Sequence, residues 1–167
     1  MTRVLVASAT RHGSTTEIAE AIGAELRADG LDVDVRQMHE VDTVYPYDAY
    51  VIGSAVYMGS WLRDARHFVD EHFELLSTRP LWLFSSGPIG EPPSAGAETF
   101  DATDLKADLH AVDHALFDGK LDHEVLRLGE RALARAMRVP DGDYRNWDVI
   151  RDWADEIART LALVSAG

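Results

Sequence analysis

The chain contains no cysteine. Disulfides, Cys-ligated zinc, iron–sulfur clusters, dithiol redox pairs and cysteine nucleophiles are therefore excluded. If the protein moves electrons, an organic cofactor must carry them. Basic residues are scarce too: 16 Lys and Arg stand against 29 Asp and Glu, a formal charge of −13. Such a chain repels a polyanion, which argues against nucleic acid as a partner. No apolar run reaches the ~18 residues that a membrane helix needs. The N-terminus passes straight into a strand pattern, so the expectation is no signal peptide and a cytoplasmic protein. Two nucleotide signatures are missing as well. Without GxxxxGK there is no P-loop, and without GxGxxG a dinucleotide fold is disfavoured.

What is present suffices for one folded domain over residues 1–167, of which 46% are hydrophobic. Val4-Leu5-Val6-Ala7 reads as a strand buried on both faces. Ser14 to Asp29 reads as a helix with the stripe Ile18, Ile22, Leu26, a stop at Gly30, and capping-box spacing over Ser14-Thr15-Thr16-Glu17. Leu31, Val33 and Val35 alternate with charged residues, as in a strand nearer a sheet edge. Ala49 to Gly53 and Leu81 to Phe84 read as further buried strands. Between them, a loop over Ser54–Ser60 leads to a helix over Trp61–Leu76. Ser85 to Ser94 is a Pro/Gly loop, Thr103 to Leu109 a short helix, and Ala111 to Phe117 a fifth strand before an Asp118-Gly119 turn. Residues 122–138 read as a helix and Pro140 to Arg145 as a turn-rich link. Asn146 caps a last helix carrying Trp147, Ile150, Trp153, Ile157, Leu161 and Val164 on one face. Strands alternating with helices predict an α/β fold, a parallel sheet covered on both faces.

In such a sheet the ligand lies at the carboxyl ends of the strands. Three loops leave those ends. Thr10-Arg11-His12-Gly13-Ser14-Thr15 joins strand directly to helix, with three hydroxyls, a glycine and the amides of a helix start. That combination makes an anion site without lysine. A capped turn whose hydroxyls only satisfy the helix end is the alternative. Ala55-Val56-Tyr57-Met58-Gly59 is apolar and followed by Trp61, which suits a flat hydrophobic ring. Ser86-Gly87-Pro88-Ile89-Gly90 offers backbone groups for a ring's polar edge. A response-regulator receiver shares this layout but needs an Asp where this chain has Gly53-Ser54-Ala55.

The run Thr10-Arg11-His12-Gly13-Ser14-Thr15, continued by Glu17-Ile18-Ala19, resembles the flavodoxin FMN-phosphate fingerprint T-x-x-G-x-T followed by E-[IL]-A. The segment from Gly142 to Ala154 resembles the C-terminal region of a bacterial flavodoxin-domain group that includes the menaquinone-dependent protoporphyrinogen IX dehydrogenases. The resemblance implies a flavodoxin-like five-stranded parallel sheet in the order 2-1-3-4-5 with non-covalently bound FMN. It implies that Thr10, His12, Gly13, Ser14 and Thr15 hold the phosphate, with Arg11 in the same loop. Ala55, Val56, Tyr57, Met58 and Gly59 would flank the isoalloxazine, and Ser86, Gly87, Pro88, Ile89 and Gly90 its other side. The third loop departs from electron-carrier flavodoxins, since it has no aromatic before Phe100. That leaves room beside the ring for a substrate.

Three readings follow. One is an FMN-dependent oxidoreductase acting on protoporphyrinogen IX or a similar small molecule, with a quinone acceptor. Another is an electron-transfer protein that docks a redox partner. The third is a flavodoxin fold that no longer binds FMN. No catalytic residue is assigned; Tyr57 and His12 are the nearest acid–base candidates. The histidines show no metal-ligand set, and His110 and His114 straddle a helix-to-strand junction. Residues 122–138 hold four Arg against three acids, which suits peripheral membrane contact or an ordinary surface helix.

Overall fold

A computed structural model describes residues 1–57, 59–87, 100–121 and 142–166. Strand β1 (Arg3–Ala9) has Val4, Leu5, Val6 and Ala7 fully buried, because it lies inside the sheet with helices on both faces. It pairs in parallel with β2 (Asp32–Gln37) on one side and β3 (Ala49–Tyr57) on the other. Strand β4 (Ser60–Trp61) folds back antiparallel on β3. Strand β5 (Leu81–Ser86) follows β3 in parallel, and β6 (Asp113–Phe117) closes that edge. The order β2-β1-β3-β5-β6 is the expected 2-1-3-4-5 once the short β4 is set aside. Strand order reverses beside β1, between its neighbours β2 and β3, where an open sheet forms a crevice.

Alternation along the strands sorts the core into two layers. Val4, Val6, Val51 and Phe84 pack under α1 (Ser14–Ala28) and the C-terminal helix, while Leu5, Tyr50, Ile52 and Leu83 face Phe68, Val69 and Leu76. Helix α1 buries Ile18, Ile22 and Leu26, the stripe legible in its sequence. It ends where the Leu31 and Gly30 amides reach back to the carbonyls of Leu26 and Arg27, at 3.2 and 3.0 Å.

Several elements differ from the sequence reading. The helix expected over 61–76 is α2 (Arg63–Glu71) and a single turn α3 (Phe73–Leu76), with a break at His72. Trp61 is buried as a strand residue opposite Val56, so the apolar spacing recorded burial and not helix. Strand β6 begins at Asp113, because the turn after α4 (Phe100–Asp108) takes up His110 to Val112. The Asp118-Gly119 turn leads into β7 (Lys120–Leu121), which pairs antiparallel with β8 (Gly142–Asp143). The predicted helix over 122–138 lies outside the described residues. Finally, α5 (Trp147–Ser165) buries Ile150, Ala154, Ile157, Ala158 and Leu161, while Val164 in its last turn is 61% exposed. Its start is as expected: Asn146 Oδ1 accepts from the Val149 amide at 3.2 Å. No helix among the described residues is long and apolar enough to cross a membrane.

Candidate functional site

The parallel register brings the three loops together. Ala9 stands opposite Ser54, Ala55 opposite Ser86, and Ser86 opposite Phe117, so β1, β3, β5 and β6 end along one edge.

At the β1–α1 junction, Gly13 takes φ +90°, a left-handed conformation that a side chain would strain. Its amide donates to Thr10 Oγ1 at 2.9 Å, which closes a tight turn. The expected capping box is absent. Ser14 is already helical, the cap position belongs to Gly13, and no side chain caps this end. Glu17 turns outward to Arg145 instead of back to the cap. The first amides of α1 have no partner within the helix and so present positive partial charge at this edge.

Three hydroxyls beside this turn carry the sharpest signal. Ser8 Oγ, Thr15 Oγ1 and Thr16 Oγ1 are buried without a hydrogen-bond partner. Burying a hydroxyl unpaired costs about 1–3 kcal/mol, so such groups call for a ligand or an ordered water. Thr15 was expected at the site; Ser8 and Thr16 were not assigned to it. Ser8 continues the side of β1 that carries Val4 and Val6, toward α1, a placement that strand alternation predicts.

Arg11 reaches from this loop to the next, its guanidinium carbon 4.3 Å from the centre of the Tyr57 ring. Tyr57 ends β3 and pairs with Ser60, and Gly59 takes φ +80° at the tip. The expected loop over 54–60 is thus mostly a strand and a tight hairpin. Ala55, Val56 and Tyr57 are half-buried on it. Two serines tether the hairpin. Ser54 Oγ accepts from the Leu62 amide at 3.1 Å, and Ser85 Oγ accepts from the Trp61 indole N–H at 2.7 Å. Ser85 also meets His114 Nε2 at 2.8 Å.

In the third loop Ser86 is buried, Gly87 has φ +102°, and the Gly87 amide donates to the Phe117 carbonyl at 2.8 Å. Met58, Pro88, Ile89 and Gly90 lie outside the described residues.

Spacing does not single out Arg145, because the α1 residues it meets, Ser14 and Glu17, lie 131 and 128 residues away. Its side chain is 4% exposed, at the start of α1. It bonds Asp143 through two nitrogens at 2.8 and 2.6 Å, reaches the Ser14 carbonyl at 3.3 Å, and pairs with Glu17. It also lies over the Trp147 ring at 4.5 Å. The hydrogen bond from Arg145 holds the Asp143 carboxyl below its ordinary range. The guanidinium in turn is pushed upward by Asp143 and Glu17, against the effect of burial. Among the described residues no three His, Asp or Glu gather into a metal site. His110 lies in the turn after α4 and His114 sits on β6, as the spacing suggested.

A family model described as a flavodoxin domain matches residues 5–147. Protoporphyrinogen IX dehydrogenase (quinone) of Escherichia coli strain K12 is 24% identical over 171 residues, covering 93% of this chain and 94% of that protein. Rubredoxin oxygen:oxidoreductase from Desulfovibrio gigas superposes with a TM-score of 0.67 at 14% identity, over 99% of this chain but 37% of that one. The present chain therefore spans little more than a third of that structure's length. A single-site mutant of the flavodoxin from Pseudomonas aeruginosa gives a TM-score of 0.62 at 14% identity, over 96% of this chain and 99% of that one.

Proposed function

The chain belongs to the flavodoxin-domain family, and from that premise we propose that it binds FMN at this edge and works as a flavin-dependent oxidoreductase. One observation carries the reading: Thr15 and Thr16 in the first turn of α1, and Ser8 near the end of β1, bury unpartnered hydroxyls. A phosphate supplies acceptors for those hydroxyls and for the first-turn amides, in the field of the helix dipole. The donor set therefore fits the group.

FMN, when bound, supplies hydride or electron transfer at its ring. The chain's own contribution is position. Gly13 lets the backbone come close to the phosphate, and Thr10 fixes the turn. Tyr57, with Arg11 over its ring, would flank the flavin ring. The backbone at Ser86 and Gly87 would border its other side. No acid or base is assigned.

The finer reading is oxidation of protoporphyrinogen IX or a similar small molecule with a quinone as acceptor. Its support is the 24% identical relative whose name states that reaction, aligned over 93% of this chain. A second reading, an electron carrier that docks a basic partner, has support in the net charge of −13.

A visible spectrum with an FMN titration is the first test. The protein is expected to carry or take up FMN; no flavin bands and no binding would overturn both redox readings. Anaerobic bleaching by protoporphyrinogen, with recovery on adding a menaquinone analogue, would support the enzyme. No bleaching, with rapid exchange to a reductase or ferredoxin, would support the carrier.

A further inference from the structure

We propose that Arg145 is the positioning residue that makes the start of α1 electrostatically competent for a phosphate dianion, by pairing with Glu17 and partly offsetting its charge. This rests on the FMN reading.

Glu17 lies in the first turn of α1, and its amide bonds the Gly13 carbonyl at 3.2 Å. A carboxylate there is itself drawn to the positive helix end and so opposes a phosphate at the same end. An opposite charge paired with Glu17 offsets that effect. Arg145 does so from 128 residues away, with a side chain that is 4% exposed while Glu17 is 54% exposed. The guanidinium is held from several directions. Asp143 takes Nε and Nη2, the Ser14 carbonyl takes Nη1, and Trp147 lies beneath the plane. Such a fork is not matched by lysine. Arg145 lies two residues after β8 and bonds both Asp143 and the Ser14 carbonyl, so it also ties the β7–β8 ribbon to the start of α1. Without it, Glu17 and Asp143 would stand as two carboxylates beside the phosphate loop with no guanidinium between them.

The test compares FMN with riboflavin, which has the same ring and no phosphate. Arg145→Gln is expected to weaken FMN about tenfold, the scale of one partly buried charge at a helix end, and riboflavin much less. The double variant Arg145→Gln with Glu17→Gln is expected to regain most of the FMN affinity. Equal loss of both flavins, or no recovery in the double variant, overturns the proposal, since either marks a purely structural role. Should Arg145→Gln not fold, Glu17→Gln alone decides. FMN affinity unchanged or higher is expected, and a selective fall in it overturns the proposal. Native protein that binds neither flavin removes the FMN reading and this one together. Native binding with an unselective Arg145 variant removes this one only.

Discussion

Trp61 and Ser85 are joined across two strands by a buried hydrogen bond, the indole N–H donating to Oγ at 2.7 Å. Ser85→Ala leaves that N–H without a partner in a site where Trp61 is 1% exposed. The expected cost is about 1–3 kcal/mol of stability. Urea unfolding should show a lower midpoint at an unchanged slope; an unchanged midpoint would refute the tether.

Thr15→Val is the converse case. The Thr15 hydroxyl is buried and unpartnered, so removing it in a nearly isosteric change should leave the cofactor-free protein equally stable or more stable. FMN affinity should nevertheless fall, by about tenfold or more if a phosphate hydrogen bond is lost. Thermal melts without flavin, set beside FMN titrations, separate the two effects. A destabilised apoprotein with unchanged affinity would contradict the assignment.

Gly53 faces the Phe84 ring. A Cβ at this position would sit 2.2 Å from Phe84 Cε1 and Cζ, inside a core where Phe84 also packs on Phe117 and Trp153. Gly53→Ala must push a buried ring out of place, at a cost of about 1–3 kcal/mol. Calorimetry of the variant should give a lower Tm, and a wild-type Tm would show that the ring yields freely.

Tyr47 predicts an alkaline limit. Its hydroxyl donates to Asp34 Oδ2 at 2.7 Å, and burial, followed by that bond, pushes the phenol up to about 12. The folded state thus favours the protonated phenol. Its contribution is complete below the ordinary value of 10 and is lost as pH rises toward about 12. Burial raises the Tyr50 phenol in the same direction. Denaturant midpoints should decline over this window, and Tyr47→Phe should flatten the decline. An unchanged slope in the variant would refute the account.

The β-α alternation, the α1 stripe and the Asn146 cap were all legible in the sequence, because each depends on neighbours within a few residues. The strand-to-helix turn at Thr10–Thr15 was legible for the same reason. What misled was local pattern without partner. Ser14 and Glu17 have capping-box spacing, yet Glu17 is taken by Arg145. Trp61 has helical spacing with Ala65 and Phe68, yet it pairs with Val56.

Sequence alone thus narrowed the chemistry. With no cysteine, thiol and Cys-ligated cluster chemistry are excluded, and a hydroxyl-rich turn opening a helix offers an anion site. Tertiary structure decided which groups stand at that site. Ser8 and Thr16 join Thr15 as buried hydroxyls, Arg11 caps Tyr57, and Arg145 arrives from near the far end of the chain. The physical reason is that burial and ion pairing are set by what packs alongside in space. Strand register and the path of the chain bring Ser14 and Arg145 together across 131 residues, a distance over which no local sequence pattern carries information.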